Sequence, residues 1–566
     1  MATHDEPAGP SGALPGRHRQ SSARPGRSMI YRSDHKAIGL LYLCLALCCV
    51  LLGMVLSLAL RVGAVSGFED SPSLLAVLHG SLMVFFVLAA APQAGFGNYF
   101  LPLQIGAREM AFPLLNAVGF WVTAASLGFI VGAFFLPPAA GVNVWVLGVV
   151  LFCFAGLGNA ANFAVTAIDL RGEGMTLPRL PLTAWAWLLN ALLSLLIYSI
   201  LLASCLLLLS DRLAGTHFFG GPAALNAPEL AAIQGAIPAV WQRLFWFFAH
   251  AEVYVSMLPC FGIVTHLLAT FARRPVWRER AVVLALCAVG LFGFCIWGEH
   301  LFASGLDPFS PLAFGLLASS LGLPAIVLLV SWFATTWKAR LRLTTAMLFA
   351  LGFVCLFITG GLSGIFLARQ APTAGVDNDF VTGHFHLVMG VAATFAILGA
   401  LFFWFPKLFG RRLNEPLGKL HFWLTFVGVY CTFLPMQWLG LLNGAATASP
   451  SGAATTGWVA PLQAFIAIAM LATFGAQLIF FYNFIRSLAT GELAEESNPW
   501  SATTLEWSVP SPPPRDDFGT TAPAVYRGAY EFFAPERAPG RFVDFLPQHL
   551  RPEEVSATIR REEHPR

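Results

Sequence analysis

The stretch from Asp379 to Pro406 reads DFVTGHFHLVMGVAATFAILGALFFWFP. A helix that crosses a bilayer needs about 20 predominantly apolar residues, and this run exceeds that after its opening aspartate. Two histidines, His384 and His386, lie within it. An ionisable side chain at membrane depth costs about 2.5–3.5 kcal/mol on insertion scales, so each needs a reason to be there. At about 100° per residue the two rings point to roughly opposite faces of one helix. A single helix can therefore offer a ligand to each of two sites flanking it.

The rest of the chain has the same character. Of its 566 residues 57% are hydrophobic and only 11% charged, and the mean hydropathy is +0.69. Soluble domains carry about 25% charged residues, so an ordinary soluble globule and intrinsic disorder are both excluded. The net charge of +3 gives no argument for a nucleic-acid partner. The cysteines lie mostly in apolar runs (Cys44, Cys48, Cys49, Cys205, Cys295, Cys355, Cys431) and read as small buried hydrophobes rather than a disulfide framework.

Twelve apolar runs are legible, at about 37–61, 74–102, 116–136, 143–168, 182–210, 237–270, 281–303, 311–334, 342–366, 379–406, 418–443 and 459–488. The expected fold is an all-α membrane protein, a twelve-transmembrane-helix bundle spanning 37–489. Residues 1–36, rich in Pro, Gly, Ser and Arg, read as a disordered tail, and 490–566 as a second, polar tail. With the N-terminus inside, the inner loops hold Arg108, Arg171, Arg179, Arg273, Arg274, Arg278, Arg280, Lys338, Arg340, Arg342, Lys407, Arg411, Arg412 and Lys419. The outer loops hold little beyond Arg212 and Arg369. The positive-inside rule then places both termini in the cytoplasm.

Few histidines lie within the spans: His79 in the second, His250 in the sixth, His300 in the seventh, and the pair in the tenth, with His266 near the inner end of the sixth. The alternating topology brings all but His266 to a similar depth in the outer half. Neutral imidazole is the commonest metal ligand, and coordination offsets its burial. His250 and Tyr254, four apart, share a helix face, with Glu252 turned away from both. Two large planar cofactors gripping the tenth helix from either side fit this pattern better than one zinc ion.

These residues resemble the catalytic subunit of the haem–copper oxidases. The matching stretches are His79-Gly80, Gly95-Phe96-Gly97-Asn98-Tyr99, Met110-Ala111-Phe112-Pro113, Gly174-Met175-Thr176-Leu177, Phe245-Trp246-Phe247-Phe248, Glu252-Val253-Tyr254, His384-Phe385-His386, Asn498-Pro499-Trp500 and Thr504-Leu505-Glu506-Trp507. The resemblance implies two haems, probably a-type: a low-spin one held by His79 and His386, a high-spin one by His384. It also implies a copper held by His250 and His300, with Tyr254 as a donor of an electron and a proton. Glu252 would pass protons, and Arg61 would contact the low-spin haem or else be an ordinary snorkelling arginine. The implied partners are a subunit II carrying a dicopper centre, a subunit III, cytochrome c and membrane lipid, in a bacterial inner membrane. Cys44 and Cys48 have a Cys-x3-Cys spacing but lie mid-span and read as packing residues.

Several positions depart from the family pattern. The second copper histidine of the seventh span is Glu299, and a carboxylate favours iron relative to copper; Glu299 is a ligand, a proton carrier or a mere neighbour. The eighth span, around Leu328, has no lysine for one proton path. On the other path Glu109 stands for an aspartate, Asn116 remains, and the serines of the fourth span are Ala155 and Gly156; Glu109 can equally be a solvated loop charge. The paired propionate arginines are absent from Asn443-Gly444-Ala445-Ala446-Thr447, the outer magnesium pair reads Val376-Asp377, and Ala251 replaces a proline. The leading expectation is a terminal oxidase that takes electrons from cytochrome c and reduces O2 to water, with proton translocation left open. The alternatives are a nitric-oxide-reductase-like enzyme with a haem and a non-haem metal, a haem-binding membrane carrier or sensor without turnover, and, on composition alone, a transporter.

Overall fold

The computed structural model describes residues 34–66, 72–219, 239–297, 316–317, 319–370, 378–448, 456–519, 522–532 and 545–551. These form helical columns that follow the twelve expected runs in order. They are α1 (His35–Ser66), α2 (Pro72–Ser81, continuing through Leu82–Gly97 into Asn98–Ile105), α3 (Pro113–Ala133), α4 (Pro138–Asp169), α5 (Leu182–Ala214) and α6 (Ala239–Ala272). Then come α7 (Glu279–Cys295), α8 (Gly322–Thr336), α9 (Thr345–Gln370), α10 (Asn378–Phe385, continuing through His386–Gly390 into Val391–Phe409), α11 (Glu415–Ala448) and α12 (Val459–Thr490). Ten are long and apolar enough to cross a membrane; α7 and α8, with 17 and 15 residues, are shorter within the described residues. Among those residues no strand forms beyond an isolated bridge between Arg411 and Leu493. The chain is an all-helical, multi-pass membrane protein.

Local chemistry sets the helix ends. Pro113 and Pro138 open α3 and α4, where a missing N–H costs nothing because the first turn has no acceptor for it. That moves both starts a few residues ahead of the apolar runs. Gly410 closes α10 in a left-handed turn at φ 67°, a conformation that a side chain disfavours. The middle of α2 and the turn from His386 to Gly390 are wound as π-helix, which re-aims side chains relative to a regular helix.

Consecutive helices pack side by side, and α6 also touches α2, α8, α9 and α10. It is the central column: the apolar window of α6 is 100% buried, against 17% for α12. After α12 the chain returns across one end of the bundle, where Leu505, Glu506 and Trp507 are buried and the Trp500 indole donates to the Phe403 carbonyl at 2.8 Å. The expected tail over 1–36 lies, for residues 1–33, outside the described residues; His35 and Lys36 belong to α1.

Candidate haem and metal site

The tenth column delivers its two histidines as the sequence suggests, and the neighbouring helices fix their rings. The His386 Nδ1 lies 2.8 Å from the Thr382 carbonyl one turn earlier. The His79 Nδ1, on α2, lies 2.9 Å from the Gly53 carbonyl of α1. The His384 Nδ1 lies 3.1 Å from the Gly360 carbonyl and 3.0 Å from Ser363 Oγ, both on α9. A carbonyl can only accept, so each Nδ1 carries the proton, and each Nε2 presents its lone pair. This second-shell arrangement is the one that orients a metal-binding imidazole.

His79 and His386 face one another with ring centroids 6.5 Å apart and planes 23° from parallel. Two metal–nitrogen bonds of about 2 Å, plus a ring radius of roughly 1.1 Å at either end, give about 6.3 Å between centroids. The rings are too far apart to touch and correctly spaced to share an iron. Phe433 stacks on the His386 ring at 4.6 Å and holds its plane. The pair fits a six-coordinate haem.

This arrangement agrees with what related proteins show. The family model for cytochrome c and quinol oxidase polypeptide I matches residues 37–468. The chain belongs to that family. It is 37% identical, over 92% of its length and 93% of the relative's, to the alternative cytochrome c oxidase subunit 1 of Bradyrhizobium diazoefficiens. It is 34% identical to cytochrome c oxidase subunit 1 of Synechocystis (88% of this chain, 91% of the relative) and 35% to that of Cereibacter sphaeroides (78% and 80%). The polypeptide I family binds haem and copper centres. None of these names favours the nitric-oxide-reductase-like alternative.

Within this oxidase polypeptide, α6 brings His250 and Tyr254 together, the phenol oxygen 3.3 Å from His250 Nε2. Gly293 on α7 lets the Tyr254 ring approach, because a Cβ there would fall inside that ring. Glu299 and His300 lie outside the described residues. Among the described residues no three His, Cys, Asp or Glu side chains gather around a metal position. Arg61 is 7% exposed; its Nη2 reaches the Gln463 carbonyl at 3.5 Å while its Nε is buried without a partner. An anionic group beside it would satisfy that donor.

The expected proton-path residues do not form one contact chain. Glu109 Oε1 accepts the His35 and Met110 backbone N–H groups at 2.9 and 3.1 Å. Burial raises its carboxyl above the usual range, and the nearby His35 and these N–H donors pull it back. Asn116 is 2% exposed with neither amide atom partnered. Glu252 is also 2% exposed, and neither carboxylate oxygen has a hydrogen-bond partner. Buried atoms in that condition call for ordered water. Leu328, where a lysine is expected, is fully buried. Sequence reasoning misses Ser363, which binds the His384 ring, and Tyr198, which lies against Glu252. A signal for Tyr198 exists: Asn190, Ser194 and Tyr198 recur every four residues in an otherwise apolar run.

Proposed function

We propose that the chain is the catalytic subunit of a respiratory terminal oxidase that takes electrons from cytochrome c and passes them, with protons, to O2 to form water. The observation that carries the reading is the facing pair His79 and His386, 6.5 Å between centroids, with each Nδ1 tied to a backbone carbonyl. In this reading those two hold a low-spin a-type haem, and His384, on the other face of α10, holds a high-spin a-type haem. His250 and His300 hold a copper, with Glu299 as a further donor there, the arrangement that would admit iron instead. When bound, these groups supply several electrons to one O2 and an open position for it.

The chain's own residues do the rest. Tyr254 holds its phenolic hydrogen toward His250, Glu252 carries protons, and Arg61 balances anionic charge beside the low-spin haem. Glu109 and Asn116 stand at the start of the proton path. The membrane domain covers 37–489, with 1–36 and 490–566 as cytoplasmic extensions in a bacterial inner membrane. A subunit II with a dicopper centre, a subunit III and lipid complete the assembly; nucleic acid has no part in it.

The test is an optical spectrum with an oxygen-uptake assay on the purified complex. Wild type should show two distinct haems and consume O2 when given reduced cytochrome c. His79→Ala should abolish the low-spin spectrum and keep part of the high-spin one. An unchanged spectrum in that variant would overturn the assignment.

A further inference from the structure

Asn190, Ser194 and Tyr198 stand at i, i+4 and i+8 on α5 and so share one face. All three line a cavity of about 40 Å³ closed by α2, α3, α4 and α6. A water needs roughly 10–15 Å³ by the same measure, so the cavity has room for a short water chain. It also has the partners that water needs: the Oδ1 atoms of Asn190 and Asn159, both on its wall, are buried without hydrogen bonds. The Tyr42 hydroxyl and Thr123 Oγ1, 3.3 Å apart, stand on another wall.

Tyr198 connects this cavity to the buried carboxyl. Its hydroxyl lies between Ser194 and Glu252, yet no hydrogen bond closes onto either Glu252 oxygen. The ring alone is a packing element, edge-on to Phe152 at 5.5 Å and tilted against Phe248 at 6.1 Å. Phenylalanine would serve that purpose, so the hydroxyl needs its own explanation. The fourth column supplies a second clue. A Cβ at Gly156 would fall 2.8 Å from the Tyr198 ring, so glycine at this position makes room for the tyrosine. Ala155 and Gly156 bring no hydroxyl of their own.

We propose that Tyr198 is the proton relay into Glu252, replacing from α5 the hydroxyls that α4 lacks. This rests on the oxidase reading for the use of the protons, but not for the relay itself. In the step, the Tyr198 O–H bond breaks as its proton passes to a Glu252 carboxylate oxygen. The phenol oxygen takes a proton from cavity water, which regains one from the next water. One proton moves in total, the phenol is restored, and no electron is transferred.

The test uses the purified complex and reads proton access directly. The infrared carbonyl band of the protonated Glu252 carboxyl, identified by its loss in Glu252→Gln, shifts when the complex is moved into D2O. Tyr198→Phe keeps the ring and should slow that exchange at least about tenfold. Gly156→Ser combined with Tyr198→Ala should exchange severalfold faster than Tyr198→Ala alone, because the serine then has both room and a hydroxyl. This pair gives the same comparison if Tyr198→Phe fails to assemble. Exchange as fast as wild type in Tyr198→Phe, or no recovery from the added serine, would overturn the relay. Oxygen uptake separates the two claims: a wild-type complex that consumes no O2 refutes the oxidase reading, while the exchange rates still decide the relay.

Discussion

A histidine becomes a dependable ligand only when something else holds its second nitrogen. His79, His384 and His386 meet that condition through three carbonyls from three places in the fold. His384 has an additional contact. Ser363 donates to the Gly360 carbonyl at 2.9 Å, receives the Gln437 amide at 3.0 Å, and lies 3.0 Å from His384 Nδ1. Second-shell partners of this kind typically account for about 10–100-fold in metal affinity or activity. Ser363→Ala should therefore lower the iron–His384 stretching frequency in resonance Raman spectra and weaken haem retention; an unmoved band would show that the Gly360 carbonyl suffices. The histidines were legible in the sequence because ionisable groups are rare in apolar runs. Ser363 and Gln437 were not, since serine and glutamine in a span carry no such signal and their pairing joins α9 to α11.

Close approach between helices decides where these side chains sit. At Gly360 a Cβ would fall 2.6 Å from the Val388 backbone nitrogen, so α9 and α10 pack almost backbone to backbone. That closeness lets the Gly360 carbonyl reach the His384 ring. Gly293 acts likewise between α7 and the Tyr254 ring. Gly293→Ala should force Tyr254 out of register with His250, lowering oxygen uptake while leaving the His79/His386 haem spectrum in place. Overpacking of this kind costs about 1–3 kcal/mol, which a thermal melt of the complex would register. Full uptake in that variant would show that the Tyr254 position is not critical. Helix existence followed from run length, and helix starts from prolines that hydropathy alone placed a few residues late. The π-helical turn at His386–Gly390 had no sequence signature, because it depends on how α10 meets its neighbours.

Across the whole molecule, the two ends of the described chain are tied together. His35 Nε2 lies 2.9 Å from the buried Asp517 carboxylate, and the Lys36 ammonium binds the same group. Nearby, the Lys407 ammonium donates to the Val509 carbonyl. Glu506 joins this closure, with Oε1 accepting from Gln104 of α2 at 3.1 Å and Trp404 of α10 at 3.4 Å, and His266 of α6 at 3.8 Å. Burial raises the Glu506 carboxyl above its usual 4.5, the hydrogen bonds opposing. The folded protein thus holds this proton more tightly than the unfolded chain. Its contribution is complete below the ordinary carboxylate range and is lost as pH rises through the raised value. Thermal stability should accordingly fall with rising pH over that window, and Glu506→Gln should flatten the fall. Parallel pH profiles for wild type and Glu506→Gln would count against this assignment.

The sequence by itself determined the solvent, the number of helices, their order and the ligand-bearing histidines. Apolar length and rare ionisable groups are local properties that survive without any knowledge of neighbours. Only the tertiary structure decided which carbonyl orients each imidazole, that Glu252 stands unpartnered beside Tyr198, and that Gly156 yields space to that ring. Each of these is a distance between residues remote in the chain, and no pattern along one helix specifies what the next helix places against it.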